Sequence, residues 1–550
     1  MSSHIPVFVP HIAVDTLKAL TDAFDVGWLG MGASTKAFEE RLAAFLGGGR
    51  HVVATNTGTS ALHLGLLLAG VGPGDEVIVP SFNYVADHQA ITATGASPVF
   101  CDIREDDLGL DPDQVAKLVG ARTKAIMPLH FAGVPCRLTE IQELARERGL
   151  RVIEDATHAF GSRYRGRRIG SFGDITCFSF DPVKVITSID GGAVVVGGAE
   201  DVERLHHLRF LGVDKDTAER YKNKRAWEYD VVGQGYRYHL TNIFASVGLS
   251  QLARVHEFIL SRQRTCRRYR DGLADLDGLE LPATDFQHVS PFIYVVRVKH
   301  GRRMEFIEHL RANDIATGIH FLPAHEFSFY RGCRQGDLSV TNRVSSEVVT
   351  LPLHSNMRVE LVDRIIGCIR RFFDAGLARP SLTVRPARRV AEEADLLVAW
   401  RKDPRSREMF YRAEFTRVDY ERTHFEHDAP AAVWIDGPGG APVGALRFRR
   451  YAQFQPPLPS PLAGLAAFDI SVIVAPDARG RGLAHRCIQL ASDHAVGAGA
   501  ELLVAEIKSE NTRSRRAFER AGYLFLDEVE KHIAGREPVK VVRLIFPDRT

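Results

Sequence analysis

Short apolar runs that alternate with helical patterns restrict this chain more than any other feature. Val77-Ile78-Val79-Pro80, Pro98-Val99-Phe100, Lys124-Ala125-Ile126-Met127 and Arg151-Val152-Ile153-Glu154 have the length and content of buried strands. Between the last two, Leu138, Ile141 and Leu144 recur at helical spacing and predict a helix from Leu138 to Arg148. Strand–helix–strand alternation builds a mostly parallel sheet with helices on both faces, an α/β fold.

The rhythm changes after Phe373. The stretch Asp374-Ala375-Gly376-Leu377-Ala378-Arg379-Pro380-Ser381 ends in linker-like residues, and Leu382-Thr383-Val384-Arg385 restarts a strand. Ala432-Val433-Trp434-Ile435 and Val443-Gly444-Ala445-Leu446-Arg447-Phe448, around a Gly/Pro-rich turn at 436–441, predict a hairpin. A Pro-rich loop near 456–461, a strand from Phe468 to Val474, a glycine loop and a helix follow. The expected division is a domain over 1–376, a linker over 377–381 and a second α/β domain over 382–550. A chain of 550 residues is too long for one core.

The 70 basic and 68 acidic residues leave a formal charge of +2, so no broad basic footprint for nucleic acid is present. No apolar run approaches the ~20 residues that span a bilayer. The N-terminal Met1-Ser2-Ser3-His4-Ile5-Pro6 lacks the pattern of a secretory signal. The seven cysteines are scattered, odd in number and without a CxxC pair, so neither a disulfide framework nor a metal site is expected. A cytoplasmic location fits these features.

Three features carry chemistry in the first domain. Asn56-Thr57-Gly58-Thr59-Ser60-Ala61-Leu62 places small residues directly before a helix, where free N–H groups and the helix dipole face an anion. Asp155 falls at the carboxyl end of a buried parallel strand. Lys184 follows the run Cys177-Phe178-Ser179-Phe180-Asp181-Pro182-Val183. Each has an ordinary reading: a helix cap, a turn carboxylate, a solvent-facing lysine. Together they match the needs of one molecule. A lysine amine condenses with an aldehyde, an aspartate holds a pyridine nitrogen protonated, and a helix N-terminus holds a phosphate. That molecule is pyridoxal phosphate.

With these motifs, residues 5–373 resemble the DegT/StrS-type pyridoxal-phosphate sugar aminotransferases of the aspartate aminotransferase fold (fold type I). The matching segments, in the family's order, are Trp28-Leu29-Gly30, Asn56 to Leu62, Pro80-Ser81-Phe82-Asn83-Tyr84-Val85-Ala86, His130-Phe131-Ala132-Gly133, Glu154-Asp155-Ala156-Thr157-His158-Ala159, Phe178-Ser179-Phe180 with Lys184, Gly235 to Asn242, and His320-Phe321-Leu322-Pro323. The resemblance implies that Lys184 is the Schiff-base lysine and proton carrier and that Asp155 pairs with the ring nitrogen. It implies that Tyr84 stacks on the ring and His158 bonds its phenolic oxygen. Gly58, Thr59, Ser60 and Ser179 match the phosphate cradle. Asn242 matches a phosphate contact from a neighbouring subunit, so a homodimer is implied. His320 lies in a segment that faces the sugar. Where the family reads Gly-Glu-Gly-Gly after the lysine, this chain has Ile189-Asp190-Gly191-Gly192, so that loop is expected to differ in shape without losing a chemical group.

In the second domain, Val474-Ala475-Pro476-Asp477-Ala478-Arg479-Gly480-Arg481-Gly482-Leu483-Ala484 lies between a strand and a helix, where consecutive N–H groups grip a pyrophosphate. A lone glycine loop is compatible with several nucleotide sites. The spacing Arg479-x-x-Gly482-x-Ala484, followed by Leu502 to Ile507 and Asn511 to Tyr523, resembles the GNAT acyl-CoA N-acyltransferases over about 382–545. The resemblance implies that Ile473, Val474 and 479–484 bind acetyl-CoA, that Asn511 touches its arm, and that N–H groups near Ser471 to Val474 steady an oxyanion. Phe518 stands where many relatives carry an acid tyrosine. Tyr523 reads as a core aromatic, and Glu506 and His485 are candidate bases.

Making an amine on one domain and acylating one on the other implies consecutive steps. The expected substrate is a nucleotide-linked 4-keto-6-deoxy sugar, with L-glutamate as amino donor and C4 favoured over C3 because of His158 and the His130 segment. The second step is N-acetylation by acetyl-CoA, and the products serve surface polysaccharides such as O-antigen. The alternatives are an aminocyclitol or antibiotic-sugar substrate, and a second domain that binds acyl-CoA without turnover.

Overall fold

The computed structural model describes residues 4–214, 229–375, 382–388, 390–403, 433–437, 440–450, 466–476, 483–497, 500–521, 523–531 and 539–547. The expected linker 377–381 and the Pro-rich loop at 456–461 lie outside them. Two compact units make up the chain, Met1–Phe373 and Asp374–Thr550.

The first unit is built on seven strands: β1 (His51–Thr55), β2 (Glu76–Pro80), β3 (Ser97–Cys101), β4 (Thr123–Ile126), β5 (Arg151–Asp155), β6 (Ile175–Ser179) and β7 (Gly192–Val196). Their spatial order is β1-β7-β6-β5-β4-β2-β3. Pairing is parallel from β3 through β2, β4 and β5 to β6, and β7 alone runs against its neighbours. Successive side chains point to opposite faces. Val52 and Ala54 therefore enter one core with Phe38 and Ile141, while Val53 enters the other with Leu62 and Ile91. Burial on both faces explains the unbroken apolar strands, each Val or Ile side chain contributing roughly 1.5–3 kcal/mol. The helix Leu138–Arg148 covers one face, ending on Gly149 in the left-handed region (φ 65°).

A smaller antiparallel sheet follows: β8 (Leu279–Glu280), β9 (Tyr294–Val298) and β10 (Val348–Leu351). It packs with the helices Val255–Leu273, Arg303–Ala312 and Val359–Ala375 around Tyr269, Phe306 and Ile365. Phe292 lies just before β9, and Thr350 lies within β10.

The second unit holds β11 (Thr383–Pro386), β12 (Val433–Asp436), β13 (Pro442–Arg450), β14 (Ala467–Val474), β15 (Leu502–Lys508), β16 (Leu524–Lys531) and β17 (Val539–Pro547), in the order β11-β12-β13-β14-β15-β17-β16. Helices Leu483–Gly497 and Thr512–Arg520 cover one face through Cys487, Ala491 and Phe518. Leu397 and Trp400 of helix Ala391–Lys402 pack on Trp434 and Ile473.

Candidate amination site and acyl-donor cleft

The carboxyl ends of the parallel strands gather the predicted residues of the first unit. After β1, Thr57 caps the helix Gly58–Leu68: its Oγ1 accepts from Ser60 N at 2.9 Å, and Thr57 N donates to Ser60 Oγ at 3.1 Å. Ser60 Oγ also donates toward Asn56 Oδ1 at 2.8 Å. Ser60 is thus buried, its hydroxyl joined to the cap at the start of the helix. Among the described residues the amides of Gly58 and Thr59 have no backbone partner, and Thr59 is exposed. A Cβ at Gly58 would lie 2.7 Å from Ser179 Cβ, closer than real contacts allow, so only glycine brings the helix start onto the end of β6.

Lys184 closes the turn after β6, its N–H donating to Asp181 O at 3.0 Å. Its Nζ lies 4.0 Å from the ring centre of Phe292. Burial lowers its ammonium to about 8, against the opposing pull of Asp155, Asp181 and Asp87. At neutral pH roughly one molecule in ten then holds the free amine, against about one in three thousand for an ordinary lysine. Asp155, 2% exposed at the end of β5, accepts from Thr157 N at 2.9 Å through Oδ1.

His158 is buried against Phe292 (centroids 4.4 Å apart) and Phe321 (5.8 Å). Burial pushes its imidazole well below the ordinary value, and Lys184 and His320 push it further, so the ring is neutral. Its Nδ1 accepts from Ala132 N at 3.4 Å, which leaves the proton on Nε2. His320 is lowered to about 4 by burial and then by Lys184, with Nδ1 2.8 Å from Thr350 Oγ1. Tyr84 caps the helix Val85–Ala93, 58% exposed, its ring 5.9 Å from Phe321. Amine, strand-end carboxylate, glycine-floored cradle, accessible ring and neutral histidine fit pyridoxal phosphate.

Asn242 begins the helix Asn242–Ala253 and is engaged within its own chain: Nδ2 donates to Trp28 O at 3.0 Å and Oδ1 accepts from Thr35 N at 3.2 Å. It anchors the Trp28-Leu29-Gly30 segment. The sequence reading did not assign Phe292, Phe321 or Asp87 to the site. Phe292 comes from a distant segment with no local motif. Asp87 lies one residue past the quoted Pro80 to Ala86 segment, where a carboxylate four residues after Asn83 was the available signal.

The loop after Lys184 does depart from an all-glycine shape. Ile189 sits in the left-handed region at φ 72°, 40% exposed, where a β-branched side chain is strained. Gly192 then presses on the cap, since a Cβ there would lie 2.3 Å from Thr57 O. Ile189→Gly is expected to raise the unfolding free energy by about 1 kcal/mol, strain relief exceeding the added chain entropy. Urea unfolding measures this; a loss of stability would show that the Ile189 side chain holds the loop.

In the second unit, β14 pairs with β13 along Phe468 to Val474 but with β15 only at Ala467, Phe468 and Asp469. β15 pairs fully with β17. A wedge therefore opens between Ile470–Val474 and the end of β15, and Ile473 and Val474 lie on its edge. Arg479, Gly480, Arg481 and Gly482 lie outside the described residues, and Leu483 and Ala484 begin the next helix. Asn511 caps the helix Thr512–Arg520, its Oδ1 accepting from Ser514 N at 3.1 Å.

Candidate acids and bases near the wedge are mostly committed. Tyr523 is 2% exposed, 2.8 Å from Ser492 Oγ and packed on Phe518 at 5.0 Å; burial pushes its phenol up. Glu506 forms an ion pair with Lys531 at 2.5 Å and is 3% exposed at its side chain, so its carboxylate is a structural partner. His485 is half-buried on the helix that follows the glycine loop.

Residues 10–370 match the model of the DegT/DnrJ/EryC1/StrS aminotransferase family, and residues 393–523 match that of the GNAT acetyltransferase family. The spore coat polysaccharide biosynthesis protein SpsC of Bacillus subtilis is 34% identical over 376 residues, 66% of this chain and 96% of SpsC. Among solved structures, the aminotransferase TlmJ from Streptoalloteichus hindustanus is 36% identical with a TM-score of 0.63, over 68% of this chain and 99% of TlmJ. PseC of Helicobacter pylori, an aminotransferase involved in the biosynthesis of pseudoaminic acid, is 26% identical with a TM-score of 0.63, over 68% of this chain and 100% of PseC.

Proposed function

The chain belongs to the DegT/DnrJ/EryC1/StrS aminotransferase family, with a GNAT acetyltransferase domain after it, and from that premise we propose the reaction each unit carries out. The first unit moves an amino group from L-glutamate onto C4 of a nucleotide-linked 4-keto-6-deoxy sugar. The second N-acetylates the new amine with acetyl-CoA. The observation that carries this is the presence, on one chain, of an amine-making site and an amine-consuming domain.

When bound, pyridoxal phosphate supplies an aldehyde for amine capture and a ring that delocalises the electrons released at the substrate carbon. Lys184 Nζ takes and returns the proton, its ammonium being lowered to about 8. Asp155 holds the proton on the ring nitrogen. His158 offers Nε2–H to the ring oxygen, and Tyr84 covers the ring face. The Gly58 and Thr59 amides with the Ser179 hydroxyl take the phosphate. His320 stands on the sugar side, beside Phe321. In the wedge of the second unit, the Ser471 to Val474 amides steady charge on the thioester oxygen, while Ile473, Val474 and 479–484 hold the acyl donor and Asn511 borders it.

A homodimer fits the exposed apolar residues Val14, Leu17, Phe24, Val26 and Trp28 around helix Val14–Val26, with Asn242 serving the partner's phosphate. Among the described residues no helix is long and apolar enough to cross a membrane, which fits a cytoplasmic enzyme. A second reading, acyl-CoA binding without turnover, is favoured only by the commitment of Phe518, Tyr523 and Glu506.

Mass spectrometry tests the proposal. Protein with pyridoxal phosphate, L-glutamate and acetyl-CoA is offered UDP-, dTDP- and GDP-linked 4-keto-6-deoxy sugars. A product with both the amine and the acetyl group supports both steps. Amination alone favours another acyl donor or the non-catalytic second unit. No change with any nucleotide sugar points to cyclitol substrates.

A further inference from the structure

The amination site holds a second buried carboxyl that the chemistry above does not use. Asp87, on the first turn of helix Val85–Ala93, is 1% exposed, and its carboxyl is hydrogen-bonded to that of Asp155. Two touching carboxyl groups in a buried site do not both ionise; they share one proton. The groups around the pair show where it rests. Asn83 Nδ2 donates to Asp87 Oδ2 at 2.7 Å, and Asn83 Oδ1 accepts from Tyr84 N at 2.6 Å. Asn83 thus fixes the Asp87 carboxyl through Oδ2. Burial, then Asp155, hold the Asp87 carboxyl well above its ordinary value, while Asn83 and Lys184 oppose this. Cys177, paired with Asp155 across β5 and β6, is kept as a thiol by burial and then by the Asp155 charge. His88 on the same helix is lowered to about 4 by burial and turns its Nε2 to Pro80 O.

Charge balance points the same way. A protonated ring nitrogen brings one positive charge, and one carboxylate neutralises it. A second carboxylate touching Asp155 would add like-charge repulsion in a buried site. We propose that Asp87 is a positioning residue of the amination site: it is a neutral acid that donates a hydrogen bond to Asp155 and fixes that carboxylate for the cofactor's ring nitrogen. This inference rests on Asp155 serving the ring nitrogen. The Tyr84 amide, Asn83, Asp87 and Asp155 then form one chain, linking the residue that covers the ring to the residue that holds its nitrogen.

The test compares full-length native protein with Asp87→Asn and Asp87→Ala. An asparagine accepts from Asn83 and donates N–H to Asp155; alanine does neither. Pyridoxal phosphate affinity is measured by equilibrium titration, and the bound cofactor's visible absorbance is followed against pH. Asp87→Asn is expected to stay within about twofold of native, with its absorbance titration unmoved. Asp87→Ala is expected to weaken binding by roughly tenfold or more and to move the titration, a hydrogen bond to a charged group having been lost. Circular dichroism of the cofactor-free proteins checks folding, and Asp87→Val, which also neither donates nor accepts, replaces an alanine variant that fails to fold. Equal losses in the asparagine and alanine variants would show that an ionised Asp87 is required and overturn the inference. No change in either would overturn it as well. If native protein takes up no pyridoxal phosphate, the assignment of the whole site falls, and this inference with it.

Discussion

Lys184→Ala is expected to lower amination by on the order of 10⁴-fold or more while leaving acetylation of a supplied amino-sugar at the native rate. Lys184 Nζ is the cation placed over Phe292 beside Asp155, with an ammonium lowered to about 8. The histidines nearby do not replace it, since His158 and His320 are held neutral and bonded to Ala132 N and Thr350. Alanine leaves Phe292, His158 and the cradle in place, so the loss falls on chemistry rather than on folding. The acetylation site has its own core, built from Cys487, Leu503, Phe518 and Leu544, and its own wedge at the end of β14. The two rates are read separately: disappearance of L-glutamate in one assay, and thiol release from acetyl-CoA with a ready-made amino-sugar in the other. An equal fall in both rates would refute the picture of independent sites.

What the sequence disclosed follows from how local each signal is. The helix Leu138–Arg148 was legible to its ends because period and termini lie in one stretch, with Gly149 taking a left-handed φ just past it. The placement of Lys184, Asp155 and Gly58 was legible because each ends or follows a strand, and parallel strands deliver their carboxyl ends to one edge. The antiparallel β7 was not, because an all-buried Gly-Ala-Val-Val-Val run reads the same in either direction. Phe292 and Phe321 were not assigned either. They reach Lys184 and His158 from segments before β9 and before β10, and only the tertiary fold brings those segments over the sheet edge. Ser60 was legible as part of the helix start, where the capping box joins its hydroxyl to Thr57. In the second unit, the role of Glu506 depended on a lysine on β16, 25 residues away in sequence.

Asp155→Asn is expected to reduce amination by roughly 10³-fold, about 4 kcal/mol of lost transition-state stabilisation. The amide keeps the size of the carboxyl and still accepts from Thr157 N, so the end of β5 stays in place. What it loses is the negative charge. A neutral amide cannot balance a protonated ring nitrogen at a position 2% exposed, where bulk solvent screens little of the deficit. The substitution also acts on Lys184. Asp155 is the foremost group opposing the burial that lowers the Lys184 ammonium to about 8. Removing it lowers that ammonium further, so capture of the cofactor's aldehyde, followed by absorbance, shifts to lower pH in Asp155→Asn. A shift to higher pH would show that Asp155 does not face Lys184. The contrast with Asp87→Asn is the sharpest feature of the site. The same chemical change, made on two carboxyls joined by one hydrogen bond, is nearly silent at position 87 and disabling at position 155, because only one of the two carries the charge. Equal effects at both positions would mean that the proton is shared evenly and that neither carboxyl alone serves the ring.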